Sequence, residues 1–435
     1  MLLEIFDVFA SLGALMETQA GPLLQQVVWK FSSNRRRKCK QRSKKDLIAL
    51  RSTSKTQGIH ASATQEFAKR YFEEVRVMWT PYSFLTFCKI CESPVFGPHV
   101  RTVKLSSIRF AMHGWWDTMV QSSYWSKSSF PQGHLHLSAQ RVQQYVGRYN
   151  MEVEMQQPAK SVDVFKKALS SLKTYGNSLA FEISTDEEGC IGANDTLTPL
   201  SIDETVDPSH WNITLEDSMA FLLEAAASTN LETKDLRIET CYFGGQLLDF
   251  CRLKDSTALW AVCPGLLKLT IEANIGRVAL VDDPVIDERL TMASLQKLFS
   301  HATKLSSLKL AGNLFMDAPD QFRRTMEFVN ASSLEEIVLH IDHATGDGIL
   351  ILLKKASKTL RHLDIIAEKF TGSWVSVVCW IMDNLPELTY FRLLLLPDMT
   401  STSFPGALEL KGSYEIQSGL AKLLQEEKST DEEAF

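Results

Sequence analysis

No stretch of about 18 uncharged apolar residues occurs in the chain, so its sequence predicts no membrane-spanning helix. Glycine is sparse, at 21 of 435 residues, and never assembles into a phosphate-cradling loop ahead of a helix. The patterns G-x-x-x-x-G-K-S/T, G-x-S-x-G and H-E-x-x-H are all missing, which removes the usual sequence grounds for nucleotide, acyl-transfer or zinc-protease chemistry. Cysteines number eight at irregular spacing, the pattern of reduced thiols inside a cell rather than of a disulfide framework. The opening MLLEIFDVFASLGAL is apolar but carries Glu4 and Asp7 and no basic run, a poor match to a signal peptide. A soluble protein of the cytoplasm, the nucleus or both is expected, and the Asn-x-Ser/Thr matches at Asn194, Asn212 and Asn330 read as chance.

No excess of one charge is present either. With 46 basic and 52 acidic residues the net charge is −6, which gives no global attraction for nucleic acid or acidic membranes. Hydrophobic residues at 45% and charged residues at 23% are globular values. A chain of this length exceeds one ordinary core, so several domains or an elongated repeat array is expected.

Repeats are the strongest positive feature. LLKLTIEAN places Leu266, Leu269, Ile271 and Asn274 in the pattern L-x-x-L-x-L-x-x-N, and LSSLKLAGN does the same with Leu305, Leu308, Leu310 and Asn313. Weaker copies are Leu334, Ile337, Leu339 and Asp342; Leu360, Leu363, Ile365 and Glu368; and Leu388, Phe391, Leu393 and Leu396. Upstream, Thr233, Leu236, Ile238 and Cys241 fit, followed backwards by Phe181 and Ile183, and by Val100, Val103, Leu105 and Ile108. First positions from 233 onward are separated by 33, 39, 29, 26 and 28 residues. The alternation points two side chains of a short strand into a core, while the Asn position turns the chain and satisfies backbone groups.

Between these strands lie segments of helical period: SLQKLFSHATKL, QFRRTMEFVN, DGILILLKKASKTL and WVSVVCWIMDNLPEL. The predicted fold is α/β, a leucine-rich-repeat solenoid over 233–403 preceded by irregular early repeats with long loops over 77–232. A C-terminal cap and an acidic tail are expected over 404–435, with STDEE at 184–188 and the terminal EEKSTDEEAF as solvated acidic runs.

Chemistry is thin. Cys88 and Cys91 form one C-x-x-C without a second pair at zinc-ribbon spacing, and SFLTFCKICES reads as a helix with core thiols. His134 and His136 share one side of a strand without a nearby third ligand. No catalytic residue, cofactor or metal site is expected, and the protein is read as a non-enzyme. Binding fits better, because residues between the inward leucines line the open face of such a sheet. Those residues are Arg237, Thr270, Lys309, Val338, Asp364 and Arg392, with Glu272, Ala311, His340, Ile366 and Leu394 at the next outward position. The face is mixed in charge and turns apolar toward Ile366 and Leu394. Either a protein partner or a capping segment, 404–424, covers that end.

Segment 46–76 carries apolar residues at Leu47, Ile48, Leu50, Ile59, Ala63, Phe67, Tyr71 and Phe72, the spacing of two short helices. Here the chain resembles the F-box family. LLEIFDVFA at 2–10 is similar to that family's first helix, and DLIALRSTSK at 46–55 to its second helix and the following turn. FAKRYFEEVRV and GPHVRTVKL resemble the passage from F-box into leucine-rich repeats in fungal F-box proteins. The F-box is degenerate: no Leu-Pro opens the first helix, and about 30 residues, roughly 13–45, separate the helical pieces. That insert ends in KFSSNRRRKCKQRSKK, whose nine basic residues fit a solvated loop, a nuclear-import signal, an RNA contact or a misjoined gene model.

The resemblance implies an F-box-like helical region over 1–76 that docks on a Skp-type adaptor within a cullin ubiquitin ligase, while the repeats hold a protein substrate. By matching position, Leu3, Ile5, Phe6, Phe9, Leu47, Leu50, Ser54 and Lys55 would face the adaptor. Arg237, Thr270, Lys309, Asp364, Ile366, Arg392 and Leu394 would face the substrate. The alternative is a leucine-rich interaction scaffold without adaptor binding. Neither reading expects a membrane or nucleic-acid partner.

Overall fold

A computed structural model of the chain describes residues 67–110, 158–184, 190–191, 211–213, 215–239, 257–272, 288–312, 314–315, 319–395 and 407–433, with isolated positions at 65, 147, 150, 151 and 155. The expected adaptor residues Leu3, Ile5, Phe6, Phe9, Leu47, Leu50, Ser54 and Lys55, the basic insert, and His134 and His136 lie outside the described residues.

Strands are β1 (Glu74–Val77), β2 (Thr102–Ser106), β3 (Ile108–Phe110), β4 (Leu179–Ser184), β5 (Trp211–Ile213), β6 (Thr233–Glu239), β7 (Lys268–Glu272), β8 (Ser307–Gly312), β9 (Glu336–Thr345), β10 (His362–Thr371), β11 (Tyr390–Leu395) and β12 (Ala407–Lys411). Helices are α1 (Pro81–Glu92), α2 (Pro158–Thr174), α3 (Leu215–Thr229), α4 (Thr257–Val262), α5 (Glu288–His301), α6 (Pro319–Phe328), α7 (Gly346–Ala356), α8 (Trp374–Asn384) and α9 (Ser413–Glu433).

Ten strands form one mixed sheet in the order β1-β2-β4-β6-β7-β8-β9-β10-β11-β12, while β3 and β5 make a separate antiparallel pair. All neighbours in the large sheet are parallel except β11 and β12. Parallel neighbours need crossovers, and helices fill the stretches between them, so each strand is added beside its predecessor.

The register explains why the alternation holds. Val75, Val103, Phe181, Leu236, Leu269, Leu308, Ile337, Leu363 and Phe391 stand side by side across nine strands. Two residues on, Val77, Leu105, Ile183, Ile238, Ile271, Leu310, Leu339, Ile365 and Leu393 form a second row. All eighteen are buried. A one-residue slip in any strand would turn its members of both rows outward, so burial fixes the register. One hydrophobic core runs beneath the sheet from Ala68 to Leu423.

Helices α5, α6, α7 and α8 cover most of the four segments of helical period at 294–305, 321–330, 347–360 and 374–388. Their starts are locally encoded. Thr345 accepts from the Gly348 N–H at 3.1 Å to cap α7, and Ser373 accepts from the Ser376 N–H at 3.1 Å to cap α8. Gly372, at φ 99°, makes the turn between β10 and α8.

Three expectations need correction. The helical reading of 46–76 stops short, because Glu74–Val77 is a strand whose Val75 and Val77 extend the core rows. The 77–232 stretch, expected as irregular early repeats with long loops, also contributes α2 and α3, which pack on each other and on α1. An aromatic cluster explains the packing: Trp79 lies 4.9 Å from Phe221, and Phe165 lies 5.1 Å from Phe221 and 5.0 Å from Phe87, centroid to centroid. Finally, the acidic run at 426–433 is the end of helix α9, not a tail.

Connections are asymmetric. Returns from helix to strand are short, as at 175–178, 230–232 and 302–306. The stretches from β2 to α2, β4 to α3, β6 to α4 and β7 to α5 are longer, and each leaves from the carboxyl end of a parallel strand, at one end of the sheet. Among the described residues no helix is long and apolar enough to cross a membrane.

Candidate functional site: the outward face of the sheet

The residue between the two buried positions of each strand points away from the core. Register places Arg76, Lys104, Glu182, Arg237, Thr270, Lys309, Val338, Asp364, Arg392 and Glu409 in one such row. Ser106, Ser184, Glu239, Glu272, Ala311, His340, Ile366, Leu394 and Ala407 form the adjacent row. The structure thus brings all seven expected substrate-facing residues onto one surface.

Charges on this surface are paired across strands. Lys104 meets Glu182 at 2.5 Å, with both side chains less than a tenth exposed. Arg237 lies 3.7 Å from Glu182 and 3.6 Å from Glu239. Lys309 pairs with Glu272. Burial, reinforced by the carboxylates of Glu182 and Glu272, pushes the Glu239 carboxyl above its usual range. Asp235, four residues earlier on β6, is also raised by burial, and its Oδ1 has no hydrogen-bond partner among the described residues.

A three-residue cluster occupies β9–β11. Asp364 accepts from Arg392 Nε at 2.7 Å, and its other oxygen lies 3.0 Å from His340 Nε2. Arg392 Nη2 stands 3.1 Å from the same His340 nitrogen. Burial alone would raise the Asp364 carboxyl, but the hydrogen bonds from His340 and Arg392 outweigh it and hold the group below its usual value. Beside it, the His362 and Tyr390 rings stack at 4.2 Å. Val338 is buried, and Ile366 and Leu394 are half-buried.

A His–Asp pair is half of a nucleophile-activating arrangement; among the described residues, the neighbours of His340 in its row are Ala311 and Ile366, which carry no nucleophile. Among the described residues no group of three His, Cys, Asp or Glu is placed to hold a metal. Cys88 and Cys91 sit on α1 as the sequence reading had them, facing the core. Burial pushes the Cys88 thiol up to about 11 and that of Cys91 well above the usual value, which leaves them poor nucleophiles. A groove of about 440 Å³ lies where α6, α7 and α8 begin, lined by Asp320, Arg323, Thr345, Asp347 and Ser373 among others.

Of the expected capping segment, the described part begins with β12, which pairs antiparallel with β11, places Leu394 opposite Ala407 and covers the sheet's last edge. Ile366 and Leu394 stay half-buried there. The cross-strand pairing was not legible in the repeat pattern, because opposite charges at outward positions look the same in sequence whether or not their strands adjoin.

No protein-family model matches the chain, and neither does a curated protein or a solved structure.

Proposed function

We propose that the chain is a non-catalytic recognition subunit that binds a protein through the outward face of its sheet and delivers it to a cullin-type ubiquitin ligase. The observation that carries the binding half is the register. Two apolar rows fixed across nine parallel strands leave a continuous outward surface on which Lys104–Glu182, Lys309–Glu272 and Arg392–Asp364 pair across strands, with half-buried Ile366 and Leu394 beside the Asp364 cluster. A broad, pre-formed surface of this kind suits a folded protein partner better than a small molecule. The expected leucine-rich-repeat solenoid is not what forms: the repeated strands belong to one mixed ten-stranded sheet with helices in its crossovers, and the binding proposal rests on that sheet's outward face.

The delivery half rests on the resemblance of 2–10 and 46–55 to the F-box. There Leu3, Ile5, Phe6, Phe9, Leu47, Leu50, Ser54 and Lys55 would meet a Skp-type adaptor. The test is a pull-down of purified full-length protein with such an adaptor, beside a Leu47→Asp/Leu50→Asp double variant. Binding by the wild type and its loss in a still-folded variant is the expected result. A folded wild type that does not bind would leave the protein an interaction scaffold instead.

A further inference from the structure

β12 has one neighbour, β11, and its other edge is unpaired among the described residues. The alternation of an antiparallel ladder says which of its groups face outward. The Tyr390 N–H bonds to the Arg361 carbonyl, toward β10, and the Gly412 N–H bonds to the Thr389 carbonyl. With Phe391 opposite Leu410, the backbone groups of Leu408 and Leu410 therefore serve β11. Those of Ala407, Glu409 and Lys411 point to the open edge, and all three residues are exposed.

An antiparallel partner must set outward-facing residues against outward-facing residues. When the partner is the same strand, the choice among registers is decided by charge. Setting Glu409 against Glu409, or Lys411 against Lys411, opposes like charges. Glu409 and Lys411 already pair with each other within the strand at 2.8 Å, and setting Glu409 against Lys411 gives each a second unlike charge, which the two-fold axis repeats. That register also centres on Leu410, whose side chain lies on the helix side against Gly419 of α9. Tyr414, in the first turn of α9 and 84% exposed, is the most exposed large apolar side chain among the described residues, three positions beyond Lys411.

We infer that β12 pairs with β12 of a second copy, Glu409 of each opposite Lys411 of the other, joining two sheets into one across a two-fold axis. A surface that discriminates among registers by charge, on a strand whose outer edge is unpaired among the described residues, fits its own copy. The strand is short, so the association is weak and concentration-dependent.

Sedimentation velocity of the full chain over a concentration series tests this. The wild type is expected to show a monomer–dimer equilibrium. Lys411→Glu opposes like charges at both pairs and should weaken the dimer about tenfold or more. The swap E409K/K411E re-creates both pairs and should restore it. Glu409→Pro removes an outward N–H that the ladder with β11 does not use, and should abolish the dimer while the thermal melt stays unchanged. A wild type that is monomeric throughout, self-association indifferent to K411E and E409P, or a swap that fails to restore the dimer would each overturn the proposal.

Discussion

At the scale of single residues, Asp342 carries the position that Asn occupies in the clearest repeat copies, and the structure gives the reason. Its Oδ1 accepts the buried Phe315 N–H at 3.2 Å, tying the turn after β8 to the strand beside it. Burial pushes its carboxyl above the usual range, against the lowering effect of hydrogen bonds from the Phe315, Asp342 and His343 backbone. A carboxyl raised on folding opposes folding once ionised, so its penalty grows as pH rises from the unfolded value near 4 through the folded one. Asp342→Asn keeps an acceptor and removes the charge. Thermal melts should show it at least as stable as the wild type at pH 7, with a smaller decline between pH 4 and 7. Asp342→Leu strands the Phe315 N–H and should cost about 1–3 kcal/mol.

Elements are joined by similar devices. Lys355, in the last turn of α7, reaches to the end of α6 and donates to the carbonyls of Met326 at 3.2 Å, Glu327, and Val329 at 3.0 Å. Helix ends leave such carbonyls without intrahelical partners, so one ammonium from the next helix closes the previous one. Burial lowers the Lys355 pKa, with Glu327 opposing. The expected cost of Lys355→Met is about 1–3 kcal/mol, read from urea denaturation, because the stem still packs while the carbonyls lose their donor. Close packing of the same pair depends on Gly348, where a Cβ would come within 2.6 Å of the Phe322 ring. None of this is visible in helical period, which marks the faces of α6 and α7 but not their partners.

For the whole molecule, the sheet grows by one strand per crossover and must end somewhere. β12 and α9 end it: β12 occupies the β11 edge, and Ile416 and Leu420 of α9 are fully buried. Deleting residues 404–435 should expose both the β11 edge and the apolar surface under α9. The expected outcome is aggregation of the truncated chain in light scattering, where a soluble, monomeric product would show that the array does not need this cap. A solubility gain would likewise be unexpected, since no other described strand pairs with that edge.

Local pattern by itself determined the strands from β4 to β11 that carry paired leucine-type residues, the helices from α5 to α8, and the seven outward positions from Arg237 to Leu394, because period-two and period-3.6 burial are written into consecutive residues. It missed β1, whose Val75 and Val77 follow a helical stretch without a break, and α2 and α3, whose Phe165 and Phe221 have meaning only as neighbours of Trp79 and Phe87. Tertiary structure alone decided the cross-strand pairs Lys104–Glu182 and Asp364–Arg392 and the antiparallel turn of β12. Each of these depends on which strands lie side by side, about 4.8 Å apart in space and dozens of residues apart in the chain.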